Sequence, residues 1–276
     1  EMDLLKTRDK KSTEVARVLR NLGNVALING DIKNAEKYFE DACEIYIQGS
    51  KLNHPKISRL YTSLGNIGIR KGNFSVATLN YEKAYTIINS VYTQEHVLMV
   101  RCMTDMGNVA LNINDMESAE RYFTNAHTIL EKLEKPDPVL MLGIYIALAK
   151  IAHILQRRDM AQRHYVNACS IVTQATDTMS RKLSQLLVDL SDLALLLGDR
   201  VEAINFITRA KNRVESRFTD EHPDIVKVFQ GMGKIDLDCC NFELAKENFL
   251  RALKIQQKFS STEFEVASTL ASLGNV

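Results

Sequence analysis

The stretch LRNLGNVALINGDIKNAEKYFEDA, Leu19 to Ala42, decides the reading of this chain because its landmarks return at a fixed interval. Ala35, Ala77, Ala119, Ala161, Ala203 and Ala245 stand 42 residues apart, and so do Ala42, Ala84, Ala126, Ala168, Ala210 and Ala252. Two unbroken columns of one small residue exceed what composition alone produces. In the same frame Leu22, Leu64, Met106, Leu148, Leu190 and Met232 form an apolar column, followed at once by a small one: Gly23, Gly65, Gly107, Ala149, Ser191 and Gly233. A ring or an isoleucine recurs at Phe39, Tyr81, Phe123, Tyr165, Ile207 and Phe249. Self-similarity at such a period marks a stacked repeat architecture.

Each unit reads as two amphipathic helices, the first from Thr13 to Asn29 and the second from Lys33 to Gln48, with Gly30-Asp31 as the turn. Small residues let neighbouring helices approach, and large ones fill the space between units. Neither helix buries its apolar face alone, so stacking completes the core. The pairs His54-Pro55 and His222-Pro223 read as helix starts, since proline is tolerated at the first helical position. The frame divides the chain at 12–53, 54–95, 96–137, 138–180, 181–221 and 222–263. Residues 1–11 align with the end of a preceding second helix, and 264–276, ending LASLGNV, with a truncated first helix. This expectation makes the chain a segment of a larger polypeptide.

Composition narrows the function. The chain has 276 residues, 45% hydrophobic and 25% charged, as globular and repeat proteins have. A formal net charge of +1 supplies no global field for nucleic acid or a membrane surface, so any electrostatic specificity is local. Apolar runs such as Leu193 to Leu197 fall far short of the ~20 residues that cross a bilayer. The opening EMDLLKTRDKK lacks a charged-then-apolar leader pattern, and the Asn-x-Ser sequon at Asn73 is read as chance. Cys43, Cys102, Cys169, Cys239 and Cys240 form no C-x-x-C pair and no metal spacing; they are expected to be free thiols, small buried hydrophobes in a reducing compartment. The expected location is cytoplasmic.

No phosphate loop, no H-E-x-x-H and no G-x-S-x-G occurs, and Gly231-Met-Gly233 lies inside a first helix rather than at a strand-to-helix turn. His153 and His164 fall on different helices without a patterned carboxylate. No catalytic residue, cofactor or metal is expected, and the chain is read as non-enzymatic.

The order Leu19, Leu22-Gly23, Ala26, Ala35, Phe39, Ala42 resembles the tetratricopeptide repeat (TPR). That repeat has 34 residues; the eight more found here, about two helical turns, suggest a lengthened second helix and outgoing loop. This longer unit, with its His-Pro pairs, is similar to kinesin light chain. The resemblance implies an all-α, right-handed TPR solenoid of antiparallel helix pairs, whose first helices line a concave surface.

On those first helices Arg17, Arg59 and Arg101 share one position, and Asn24, Asn66 and Asn108 another two turns on, with Arg20, Thr62 and Thr104 between. Asparagine is up to ~0.7 kcal/mol worse than alanine in a helix, so three at mid-helix ask for compensation. An amide can pair with the backbone of an extended peptide, and arginine offers a fork for carboxylates. The segments ARVLRNLGNVA, SRLYTSLGNIG and VRCMTDMGNVA resemble the repeats of the LGN/Pins scaffolds, and that resemblance implies a groove for extended acidic peptides at these arginines and asparagines. The carboxylate clamp of chaperone-binding TPR proteins is matched at Arg20, Asn24 and Asn66, whereas Thr104 and Asn108 replace its third-repeat basic pair.

Later units carry Gly143, Gln185 and Lys227 at the arginine column, Lys150, Asp192 and Lys234 at the asparagine column, and Ile146, Val188 and Gln230 between. That half reads as less basic and more apolar, either an apolar end for the partner or a face for another part of the same protein. With Lys150 added to the nine ladder residues, the expected function is a scaffold or adaptor holding an extended acidic segment of a protein partner, with no nucleic acid and no membrane insertion. The competing readings are a regulatory solenoid whose groove is filled by its own chain or a helical domain, and a structural assembly subunit.

Overall fold

A computed structural model describes residues 2–49, 55–92, 96–174, 182–216, 222, 225–258 and 263–276. Among these the secondary structure is helical throughout, in the order α1 (Met2–Ile28), α2 (Ile32–Gly49), α3 (Pro55–Arg70), α4 (Phe74–Val91), α5 (Val97–Asn112), α6 (Met116–Lys132), α7 (Pro138–Ile154), α8 (Arg158–Gln174), α9 (Lys182–Leu196), α10 (Arg200–Glu215), α11 (Val226–Asp238), α12 (Phe242–Lys258) and α13 (Glu263–Gly274). No helix among the described residues is long and apolar enough to cross a membrane. The helix expected from Thr13 begins at Met2 instead, so the backbone of residues 2–11 is continuous with it. Pro55 opens α3 as expected; His54 and Pro223 lie outside the described residues.

The chain forms two compact units, Glu1–Glu134 and Lys135–Val276. In the first, α1, α3 and α5 pair with α2, α4 and α6, and α2 and α4 each also pack on the following first helix. In the second, α7, α9 and α11 pair with α8, α10 and α12, and α13 closes on α12.

One turn joins the helices of every pair. Among the described residues those with positive φ, namely Gly30, Gly72, Asn114, Gln156, Gly198 and Cys240, all occupy the same repeat position. The next residue's N–H then donates back to a carbonyl in the last helical turn, at 2.8 Å in each pair: Asp31 to Ala26, Asn73 to Gly68, Asp115 to Ala110, Arg157 to Ala152, Asp199 to Ala194 and Asn241 to Asp236. This is the Schellman closure, which satisfies a carbonyl that the helix end leaves open. The same residue then caps the second helix: Asn73, Asp115 and Asp199 accept from the N–H groups of Val76, Ser118 and Glu202. The asparagine of the sequon thus has a structural use. The side chain of Asn34 and then its N–H hold the Asp31 carboxyl below the usual range, and the Ser118 N–H does the same for Asp115.

Both alanine columns are fully buried in all six pairs. The small column explains the ring column. A Cβ added at Gly23 would lie 2.6 Å from the Phe39 ring, at Gly65 2.6 Å from Tyr81, at Gly107 2.8 Å from Phe123 and at Gly233 2.7 Å from Phe249. The ring therefore lies on bare backbone of its partner helix. In the fifth pair the ring gives way to Ile207, and Ser191 takes the glycine's place, its hydroxyl donating to the Ala203 carbonyl at 2.8 Å.

The apolar column behaves as expected except at its first member, and its last, Met232, is half-buried. Leu64, Met106, Leu148 and Leu190 are buried, whereas Leu22 is exposed together with Val15, Val18 and Val25. Their counterparts Ile57, Leu60, Leu64 and Ile67 are buried on α3, the helix that packs on α2.

Gly107→Ser is expected to destabilise the protein by about 1–3 kcal/mol through overpacking against Phe123. Adding Phe123→Ile, the combination used by the fifth pair, should recover part of that loss, giving a favourable coupling of about 0.5–3 kcal/mol in urea unfolding. Strict additivity would show that the two positions are not in contact.

Candidate functional site

The predicted ladder residues from Arg17 to Asn108 all fall in the first unit, on α1, α3 and α5; Lys150 falls in the second. Arg17, Arg59, Arg101, Asn24, Asn66 and Asn108 are exposed, and Arg20, Thr62 and Thr104 half-buried. The face exists as the repeat frame requires, but its members differ in what they have left to offer.

The threonine hydroxyls are turned onto their own helices. Thr62 donates to the Ser58 carbonyl at 3.0 Å and Thr104 to the Val100 carbonyl at 2.8 Å, four residues back in each case. Asn66 is also engaged: its Oδ1 accepts from the Tyr81 hydroxyl at 2.8 Å. That bond supplies the compensation that a mid-helix asparagine asks for, and it leaves the amide's N–H groups for a ligand. In the neighbouring pairs the ring column holds Phe39 and Phe123, which have no hydroxyl to give Asn24 or Asn108.

The guanidiniums of Arg17, Arg59 and Arg20 are largely unengaged. Among the described residues Arg20 makes only a long 3.4 Å hydrogen-bond contact, to Asn21 Oδ1. Among the described residues, no carboxylate lies within ion-pair distance of Arg17 or Arg59. Arg20 and Arg17 also reach Tyr46 electrostatically: burial pushes the Tyr46 phenol up, and the two guanidiniums oppose that rise.

The second unit answers differently at the same positions. Lys234 donates to Asp192 at 2.6 Å, joining α11 to α9, and Lys150 faces Asp189 at 3.9 Å, joining α7 to α9. The alternation Lys150, Asp192, Lys234 is visible in the sequence, but pairing with Asp189 is not. Ile146 and Val188, expected to offer an apolar end for the partner, are buried in the unit's core instead. The cause is direct packing of α7 on α9 and of α9 on α11. At Gly143 an added Cβ would meet Leu186 of α9 at 3.5 Å; at Gly231 it would meet Ile207 of α10 at 2.6 Å and, beyond it, Val188 of α9 at 3.4 Å. Small residues on these faces let the helices close, and the apolar column is consumed by the closure.

The cysteines divide in the same way. Cys43 and Cys102 are buried as expected, and burial pushes both thiols up to about 12. Cys239 and Cys240 are exposed, because the frame places them in the α11–α12 turn, with Cys240 at the left-handed position. This corrects the expectation that all five cysteines are buried; Cys169 is half-buried. At pH 8, well below the thiol pKa of Cys43 and Cys102, both remain protonated. Iodoacetamide followed by peptide mass mapping should label Cys239 and Cys240 while sparing Cys43 and Cys102. Equal labelling of all four would contradict the burial described.

Among the described residues no group of three or more His, Cys, Asp or Glu side chains is placed to hold a metal ion.

Residues 14–90 match the family model for the tetratricopeptide repeat. No curated protein sequence matches the chain. Among solved structures, BtubC (BKLC) from P. vanneervenii is similar at 18% identity and a TM-score of 0.58, covering 77% of this chain and 91% of that one. Aspartyl phosphate phosphatase F from Bacillus subtilis is similar at 18% identity and a TM-score of 0.65, covering 93% of this chain and 65% of that one. The nearly identical TPR-like repeats of a Podosopora anserina putative kinesin light chain match at 15% identity and a TM-score of 0.56, covering 75% and 99%. At these identities the likeness establishes the fold: this chain folds as tetratricopeptide repeats.

Proposed function

We propose that this tetratricopeptide-repeat chain is a non-enzymatic interaction scaffold, whose first unit receives an extended acidic segment of a partner protein. The observation that carries the reading is the pair Arg17 and Arg59: exposed, at one register on successive first helices, and without a carboxylate partner among the described residues. The contrast within the chain supports it. Where the second unit has charges at the asparagine register, Asp192 and Lys234 pair with each other, and Lys150 faces Asp189. A polar face with unspent cations suits carboxylates, since a guanidinium presents a planar fork of donors.

Within the site the residues divide their work. Arg17, Arg59 and Arg101 attract and fork carboxylates, with Arg20 reinforcing the field. Asn24, Asn108 and the N–H groups of Asn66 dock backbone. Thr62 and Thr104 accept hydrogen bonds while donating to their own helices. The LGN/Pins resemblance points to the same class of ligand, and the fold in general serves protein–protein interaction. Lys150, facing Asp189, is a weaker member than its sequence position suggests.

Reversal of Arg17 and Arg59 to glutamate tests the reading. Surface changes usually stay within about ±0.5 kcal/mol, so helicity and melting temperature should be retained. Affinity for a fluorescein-labelled peptide containing a run of glutamates should fall at least tenfold, since each charge-assisted hydrogen bond is worth roughly 1.5–3 kcal/mol. Asn24→Ala should weaken the same complex with little change in its salt dependence. Unchanged affinity in the doubly reversed protein, or its unfolding, would make the arginine column structural.

A further inference from the structure

We infer that the cleft between α2 and α4 is a second interaction site, which seats one bulky apolar side chain of a partner segment carrying an acidic residue beside it. The site is made mainly by second helices and is separate from the arginine face. It encloses about 360 Å³, near the lower end of the ~300–1,000 Å³ of ligand clefts. Ile57, Tyr61 and Ile87 line it, with Ile47 of α2 and Leu79 of α4 at 38% and 51% exposure.

The repeats supply internal controls. At the register of Ile47 and Leu79, the α4 and α6 helices carry Asn89 and Arg121, α8 and α10 carry Thr173 and Asn205, and α10 and α12 carry Glu215 and Glu247. Those pairs show that this register is polar in the other repeats. Two large aliphatic residues there depart from the pattern and leave apolar surface in water, at a cost of roughly 25 cal/mol per Å².

Charge states the partner's chemistry. Lys83 Nζ lies 5.4 Å from the centroid of the Tyr61 ring in the same cleft. At the same register Arg251 lies 5.8 Å from the Phe229 ring, but Glu247, four residues earlier, binds its guanidinium at 2.6 Å. In α4 that earlier position is Leu79. The substitution that makes the lip apolar therefore also removes the neutralising acid. Among the described residues no carboxylate lies within ion-pair distance of Lys83, that of Glu82 on the same rim included. An apolar cavity with an unspent ammonium on its wall fits an apolar anchor beside a carboxylate.

The test uses 4-phenylbutyrate, which joins both features in one small probe, and 4-phenylbutylamine as its charge-reversed control, titrated into the 276-residue chain labelled at isoleucine and leucine methyls. The acid should move the methyl signals of Ile47, Leu79 and Ile87 to saturation, with the amine at least about fivefold weaker. Leu79→Arg copies the residue that α6 tolerates at this register and should abolish the shifts. Lys83→Gln, which leaves the cavity intact, should lower the acid to the level of the amine. The doubly reversed Arg17 and Arg59 protein should bind the probe as the parent does, so this site and the arginine face stand or fall separately. Shifts scattered over the surface without saturation, or equal binding of acid and amine, would overturn the assignment. So would a chain that sediments as a dimer and is returned to monomer by Leu79→Arg, since the occupant would then be a second copy.

Discussion

The contact on which the structure depends is a ring laid against the backbone of its partner helix. Phe39, Tyr81, Phe123 and Phe249 occupy the space that a Cβ would need at Gly23, Gly65, Gly107 and Gly233. This approach fixes the spacing within those four pairs; Ala149 with Tyr165 and Ser191 with Ile207 take its place in the other two, and the alanine columns are fully buried in all six. With the pairs locked, the repeated Schellman closure and its capping residue set the direction in which each second helix leaves. The outward positions of the first helices are then free of structural duty, and their chemistry can vary from pair to pair.

The two units have used that freedom in opposite ways. In the first, arginine and threonine fill the positions between the helices, the helices keep a polar face, and the guanidiniums of Arg17 and Arg59 remain available. In the second, Gly143, Ile146 and Val188 let α7, α9 and α11 pack on one another, Lys234 pairs with Asp192 and Lys150 faces Asp189. Among the described residues Lys227 alone of these charges keeps no carboxylate within ion-pair distance. A buried apolar seam with paired charges is a stabilising solution; unspent cations suit the binding proposed for the first unit. The asymmetry is thus electrostatic and steric at once, and it favours the first unit for the acidic partner.

Most of the fold was legible in the sequence because a repeat states each contact six times. The alanine columns, the small-residue and ring columns and the Gly30 turn all keep in the structure the places that periodicity gave them. What was not legible depended on relations between columns. Nothing in the spacing of Asn66 shows that Tyr81, and not Phe39 or Phe123, carries a hydroxyl at the right height to reach an amide. The burial of Ile146 and Val188 follows from how closely α7 and α9 approach, which a glycine at 143 permits but does not announce. Leu79 and Lys83 passed unnoticed for a related reason: each is ordinary alone, and their meaning comes from comparison with Glu247 and Arg251 four residues apart in α12. The exposed pair Cys239 and Cys240 was readable from its turn position, against the usual burial of free cysteine.

The placement of an acidic partner on the first helices of the first unit is tested most directly by where a bound peptide lies. A nitroxide-tagged, glutamate-rich extended peptide added to the isotope-labelled 276-residue chain reports this through distance-dependent broadening of backbone amide signals. Broadening is expected along α1, α3 and α5 around Arg17, Arg59 and Thr104, to be lost at high salt, while the amides around Gln185 and Lys227 stay sharp. Broadening centred on the second helices, or on α7, α9 and α11, would contradict the placement.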